Sequence, residues 1–190
     1  MDEDRERWDE RYAGRSDGPV TSPAAPEALA LLDEALLARI PTAGLAVDIA
    51  CGVGAQSLWL AQRGMHVMAL DVSPVAIDLL RAAAEEYDVA QRIDARVVDL
   101  DNGLPDDAAG AALVICQRFR APRLYRPIVD ALAEGGMAIV TVLSEVGLEG
   151  APGAFHARRG ELTDAFTADR VDVLASSEHA GVASIVVRRR

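Results

Sequence analysis

Apolar and polar positions along this chain alternate between helical and strand patterns. Over residues 27–40, Leu29, Leu32, Leu36 and Ile40 recur at helical spacing until Pro41 stops the run, which predicts one helix. "LAVDIA" (45–50) then reads as a short apolar strand running into a glycine loop. A helix over 55–63 ends at Gly64, and "HVMAL" (66–70) is the second strand. Ser73 and Pro74 are suited to the N-cap and first position of a helix reaching about Tyr87. "DARVVDL" (94–100) and "AALVIC" (111–116) supply the third and fourth strands. A helix near 125–134 closes at Gly135 and Gly136, and "MAIVTVL" (137–143) is the fifth strand.

After residue 143 the pattern changes. "GLEGAPG" is a loop, a helix follows near 161–168, and "VDVLASSEHAGVASIVVRR" reads as two strands around a turn at His179 to Gly181. A hairpin needs antiparallel strands, whereas the preceding strand–helix units need parallel ones. The expectation is an α/β chain: a mostly parallel sheet finished by an antiparallel pair, in one domain over 1–190 with no internal repeat. "GRSDGPVTSPAAP" (14–26) is the one linker-like segment.

Composition narrows the partners. A hydrophobic fraction of 51% over 190 residues suits a single globular core. No apolar run approaches the roughly 20 residues of a membrane span, and the charged start "MDEDRERWDERY" is unlike a secretory signal, so a cytoplasmic protein without membrane contact is expected. Cys51 and Cys116 have neither the number nor the spacing of a disulfide framework or a metal site, so no metal is expected. The net charge of −11 disfavours a nucleic-acid partner, because phosphate backbones are bound through excess basic residues. All nineteen basic residues are arginine, a bias that weakens any argument from arginine clusters.

The chemistry centres on "LAVDIACGVGAQS" (45–57). A dinucleotide fingerprint wants G-x-G-x-x-G; Gly52 and Gly54 are present, but Ser57 takes the third place. Asp48 would repel a pyrophosphate and attract a sulfonium or ammonium group. Asp71 closes the second strand, where an acid can accept from both ribose hydroxyls. A ligand with a ribose and a cationic group, and without a diphosphate, fits this set.

With "WDERYAG", "VDIACGVGAQSLWLA", "ALDVSP", "VVDLDNGLP", "LAEGGMAIVTVL" and "FHARRGEL" in this order, the chain resembles the small class I S-adenosylmethionine-dependent methyltransferases, in particular the tellurite-resistance and thiopurine-type branch. The resemblance implies a Rossmann-like seven-stranded sheet of order 3-2-1-4-5-7-6 with helices on both faces. It implies S-adenosyl-L-methionine as cofactor, S-adenosyl-L-homocysteine as product and a small soluble acceptor. Asp48 and the backbone of Ala50, Cys51, Gly52 and Gly54 would face the methionine part. Asp71 with Val72 would take the ribose, and Asp99 with the Leu100 amide the adenine edge. Cys116 and Gln117 would line the pocket, while Arg11 and Tyr12, on a lid helix and linker over 1–26, would hold the carboxylate and exclude water from the core over 27–190.

Two positions depart from the family's pattern: Ala50 stands where a first glycine is common, and Ala112 where an acid often begins strand 4. Ala50 is expected to adopt an ordinary negative φ. Several positions also have plain structural readings: Asp71 as a helix cap, Asp101 as competitor to Asp99, Trp8 and Tyr12 as core packing, and Arg118, Arg120, Arg123 and Arg126 as a solvated face. His156, in the loop after strand 5, is the candidate base, or a solvated loop residue. A non-catalytic binding module and a nicotinamide-dependent oxidoreductase are the other classes this pattern admits.

Overall fold

The computed structural model describes residues 2–14, 21–167 and 169–190. Residues 15–20 of the linker-like segment lie outside the described residues. Seven strands form one sheet of order β3-β2-β1-β4-β5-β7-β6, as the resemblance implies. They are β1 (Leu45–Ile49), β2 (His66–Asp71), β3 (Ile93–Val97), β4 (Ala111–Gln117), β5 (Leu132–Leu143), β6 (Val171–His179) and β7 (Val182–Arg189). β1 lies parallel between β2 and β4, and β7 runs antiparallel to both β5 and β6. The order therefore reverses between β1 and β4, the crevice at which open α/β sheets bind ligands beyond the carboxyl ends of their strands.

The inner strands are near-continuous apolar runs because both faces are covered. On one face α3 (Ala55–Gln62), α4 (Pro74–Glu86) and the segment 27–40 pack Leu29, Leu58, Ile77 and Leu80 against Ala46, Val67 and Ile115. On the other, α5 (Pro122–Ala131) and α6 (Glu161–Ala165) set Leu124, Ile128, Leu162 and Phe166 against Val47, Val114 and Val140. The remaining helices are α1 (Asp2–Ala13), packed on α4, and α2 (Glu34–Leu37).

Local chemistry moves three boundaries. The helix expected over 27–40 is a 3-10 turn at Glu27–Leu31 followed by the four-residue α2, because the Asp33 side chain accepts from the Leu36 amide at 2.8 Å and restarts the helix. α5 begins at Pro122 rather than near 125, since proline at a first helical position is pre-set in φ and loses no needed donor. It ends at Ala131, so β5 starts at Leu132, before the two glycines. Among the described residues no helix is long and apolar enough to cross a membrane.

Candidate functional site

The loop after β1 is built by close approach. Gly54 caps α3 at φ +83, and a Cβ there would meet Leu80 Cδ1 of α4 at 2.1 Å, so glycine alone lets α4 sit against the loop. Gly52, at φ +55, carries the Tyr12 hydroxyl on its open side, 2.8 Å from where a Cβ would stand. Ala50 does not have the ordinary negative φ expected of it: its φ is +54, in the left-handed region. The chain must turn sharply between Ile49, which ends β1, and Cys51, whose amide donates to Leu70 O at 2.9 Å. A left-handed residue makes that turn, so alanine bears strain where glycine would bear none.

The same turn separates the thiols. Ile49 and Cys116 pair in register and share the α5 face, whereas Cys51 packs with Leu58 and Leu80 on the opposite face. Both cysteines are free and buried. Burial, with the Asp48 charge adding to it, pushes the Cys116 thiol up to about 12, and burial first raises Cys51 as well. Neither is a nucleophile at neutral pH.

Two carboxylates end the central strands. Asp71 accepts from the Gly52 amide through Oδ2 at 2.8 Å and from the Ser73 amide through Oδ1 at 2.9 Å. Burial raises its pKa, and the Ser73, Gly52 and Val72 amides pull it back. Ser73 caps α4 by accepting from the Ala76 amide, so the cap reading of Asp71 is already filled. Asp48 is 1% exposed, and its Oδ2 accepts from the Ser57 hydroxyl at 2.6 Å. Burial, partly offset by that hydrogen bond and reinforced by the Asp71 charge, lifts it to about 7.

Sequence reasoning registered Ser57 only as a missing glycine. A small residue there packs α3 on β1, and its hydroxyl reaches the strand-end acid. Asp9 was also missed: it accepts from the Ser73 hydroxyl and ties α1 to the start of α4. Its spacing of three from Tyr12, on the face that meets the loop, was the available signal.

α1 thus crosses the carboxyl ends of the strands. Asp9 holds Ser73, Tyr12 covers Gly52, and Trp8 stacks on Tyr12 with centroids 5.7 Å apart. Arg7 lies 5.2 Å from the Phe155 ring of the β5–α6 loop. Arg11 is exposed, its guanidinium 5.1 Å from the Trp8 ring.

The adenine-edge candidates lie beyond β3. Asp99 accepts from the Asp101 amide at 2.9 Å and from Asn102 Nδ2 at 3.3 Å, while Leu100 is buried. Asp101 pairs with Arg123 and so faces α5. Gln117 donates to Cys116 O and Ile139 O, which lays its side chain along the strand ends.

On the β4–β5 side a groove runs between α5 and the β5–α6 loop, lined by Arg120, Tyr125, Glu145, His156, Arg158 and Asp164. Arg120 grips Glu161 at 2.8 and 2.7 Å, and the Tyr125 hydroxyl donates to the same carboxylate at 2.9 Å. The Arg120 guanidinium holds the Glu161 carboxyl below its usual range. Arg118, Arg123 and Arg126 pair with Glu27, Asp101 and Asp130, so all four arginines after β4 have carboxylate partners. His156 Nδ1 lies 2.9 Å from the Gly153 amide and 3.3 Å from the Gly153 carbonyl oxygen, so the Gly153 backbone holds the ring at the groove through that nitrogen.

Residues 46–136 match the model of a methyltransferase domain family. An uncharacterized RNA methyltransferase of Parasynechococcus marenigrum (strain WH8102) is 29% identical over 108 residues, 57% of this chain and 23% of that protein. The chain thus spans just under a quarter of that relative's length. TehB from Haemophilus influenzae superposes with a TM-score of 0.72 at 15% identity, over 96% of this chain and 67% of TehB. Geranyl diphosphate C-methyltransferase from Streptomyces coelicolor A3(2), whose structure holds S-adenosyl-L-homocysteine, superposes with a TM-score of 0.71 at 15% identity, over 100% and 97%. At these identities the likeness is one of fold. Residues 46–136 are thus similar to a methyltransferase domain, and the chain has the Rossmann-like fold and sheet order of these methyltransferase structures.

Proposed function

We propose that this chain, acting as one unit, binds S-adenosyl-L-methionine at the β1–β2 end of the crevice and transfers its methyl group to a small soluble acceptor. The observation that carries the reading is the fate of the Gly52 amide. In a dinucleotide site the glycine-loop amides are open to phosphate. Here Gly52 N–H is spent on Asp71, and buried Asp48 lies just below. The loop presents carboxylate rather than bare amides, which disfavours a diphosphate and suits a ribose with a positively charged tail. Asp71 keeps lone pairs for ribose hydroxyls, since each of its oxygens accepts once from the backbone. Asp48 with the Ala50–Gly54 backbone takes the methionine end. Val72, Asp99 and Leu100 flank the nucleoside, Cys116 and Gln117 form the floor, and Tyr12 closes the loop from α1 with Arg11 at its rim.

Methyl transfer from a sulfonium is an in-line displacement, and alignment alone supplies on the order of 7 to 11 kcal/mol in well-oriented systems. That suits an acceptor already ionised, a soft sulfur, selenium or tellurium centre or a small deprotonated metabolite. His156, held through Nδ1 by the Gly153 backbone, stands at the groove as the candidate base or positioning group for an acceptor that still carries a proton. The net charge of −11 and the paired arginines after β4 give a nucleic-acid acceptor little to bind. The test is S-adenosyl-L-homocysteine release against thiols, chalcogen oxyanions, phenols, amines, RNA and protein. Turnover of a small acceptor is expected; turnover confined to RNA or protein would overturn the acceptor class, and silence across the panel would leave a binding module.

A further inference from the structure

Asp48 is a carboxylate at 1% exposure whose hydrogen-bond partner is a neutral hydroxyl, and no arginine pairs with it among the described residues. A buried charge without a counter-charge costs stability, so a fold that keeps one at a ligand crevice has a cationic ligand to offset it. The groups packed around it supply no counter-charge. Asp71 comes from β2, Cys51 from the loop, Cys116 from β4 and Ser57 from α3, with Asp9 of α1 acting on Asp71 from above. None of these is positive.

We propose that Asp48, fixed by the Ser57 hydroxyl, makes this site prefer the cationic methyl donor to its neutral product, so that the reaction itself loosens the spent cofactor. The inference rests on the reading of the site as one for S-adenosyl-L-methionine, and adds to it a determinant of donor against product. In the transfer, the S–CH3 bond breaks with its electron pair staying on sulfur, and the acceptor's lone pair forms the new bond to the methyl carbon. The sulfonium becomes a thioether, while the ammonium and carboxylate of the amino-acid tail are unchanged. Donor and product therefore differ by one methyl group and one positive charge. A carboxylate shielded from water senses that charge far more strongly than an exposed one would. Ser57 is a positioning residue: its hydrogen bond orients the carboxylate and favours the ionised form.

The experiment is calorimetric titration of the full chain with S-adenosyl-L-methionine and S-adenosyl-L-homocysteine at about pH 8 and about pH 6. The wild type, Asp48→Asn and Ser57→Ala are compared. The wild type should prefer the donor by about tenfold or more at the higher pH, and less at the lower as Asp48 takes up a proton. Asp48→Asn should cut the preference about tenfold and make it independent of pH, the donor losing about tenfold more affinity than the product. Ser57→Ala should move the midpoint of the pH dependence upward, a shift that lost packing alone would not produce. Equal wild-type affinities for donor and product, an unchanged preference in Asp48→Asn, or an unmoved midpoint in Ser57→Ala would each overturn the proposal. If Asp48→Asn fails to fold, Ser57→Ala decides alone. Failure of the wild type to bind either compound would instead overturn the cofactor reading.

Discussion

The two ends of the crevice hold their polar groups by different means. At the β1–β2 end the acids are bound by backbone and by a short helix-borne hydroxyl: Asp71 by the Gly52 and Ser73 amides, Asp48 by Ser57. At the β4–β5 end, side chain grips side chain: Arg120 and Tyr125 on Glu161, Arg158 on Asp164, Arg118 on Glu27. Backbone donors are fixed by the fold itself and cannot be exchanged by mutation, whereas side-chain pairs can be replaced one by one. The first arrangement makes a fixed end of the crevice, and the second an adaptable one.

The largest contrast should come from the glycines. Gly54→Ala drives a Cβ into Leu80 at a left-handed residue and should cost about 2 to 4 kcal/mol in denaturant unfolding. Gly153→Ala, in the β5–α6 loop, meets only ordinary contacts with His156 and should cost under about 0.5 kcal/mol. Comparable losses at the two positions would erase the distinction between a built loop and an adaptable one.

Glu161→Gln comes next. It weakens the Arg120 grip and the Tyr125 bond and should destabilise the fold by about 2 kcal/mol, leaving S-adenosyl-L-methionine affinity within about twofold. A loss of cofactor affinity parallel to the loss of stability would mean that the two ends are one unit.

The acids at the two ends also respond to pH with opposite sign. Asp48 holds its proton more tightly folded than unfolded, so its contribution to stability is full below its ordinary 3.8 and is lost as pH rises towards about 7. Glu161 is shifted down, so its contribution is full above its ordinary 4.5 and is lost as pH falls through the lowered value. Asp48→Asn should accordingly stabilise the free protein at about pH 8 by on the order of 1 to 2 kcal/mol and do little at about pH 4. Stabilisation of equal size at both pH values would show that the buried charge is not its source.

What the sequence disclosed follows the same division. The strands, the glycine loop and the place of Asp71 were legible because spacing along strand–loop–helix units sets them, while the sheet order was legible only through the family resemblance. Ser57, Asp9 and the covering of Gly52 by Tyr12 were not, because each depends on how a separate element approaches the loop. The helix expected over 27–40 broke at Asp33, where a side-chain hydrogen bond competes with the apolar period. Ala50 failed in the other direction: residue type argued for an ordinary backbone, and the turn into Cys51 overrode it. The groove between α5 and the β5–α6 loop was least legible, since Arg120, Tyr125 and Glu161 lie up to 41 positions apart and meet only after α5 and α6 have packed.

The smallest effect expected is at that alanine. Ala50→Gly relieves a left-handed residue at some cost in unfolded-chain entropy and should stabilise by about 0.5 to 1 kcal/mol with the cofactor affinity kept. A destabilised variant would mean that the Ala50 methyl contributes packing worth more than the strain.

The most direct test of the cofactor end is calorimetric titration of the wild-type chain with S-adenosyl-L-methionine and with NAD, with Asp71→Ala in parallel. Binding of S-adenosyl-L-methionine without binding of NAD is expected, weakened by roughly 1.5 to 3 kcal/mol in Asp71→Ala as the ribose acceptor is lost. Tight NAD binding with no response to S-adenosyl-L-methionine, or an Asp71→Ala variant that binds as the wild type does, would contradict the account.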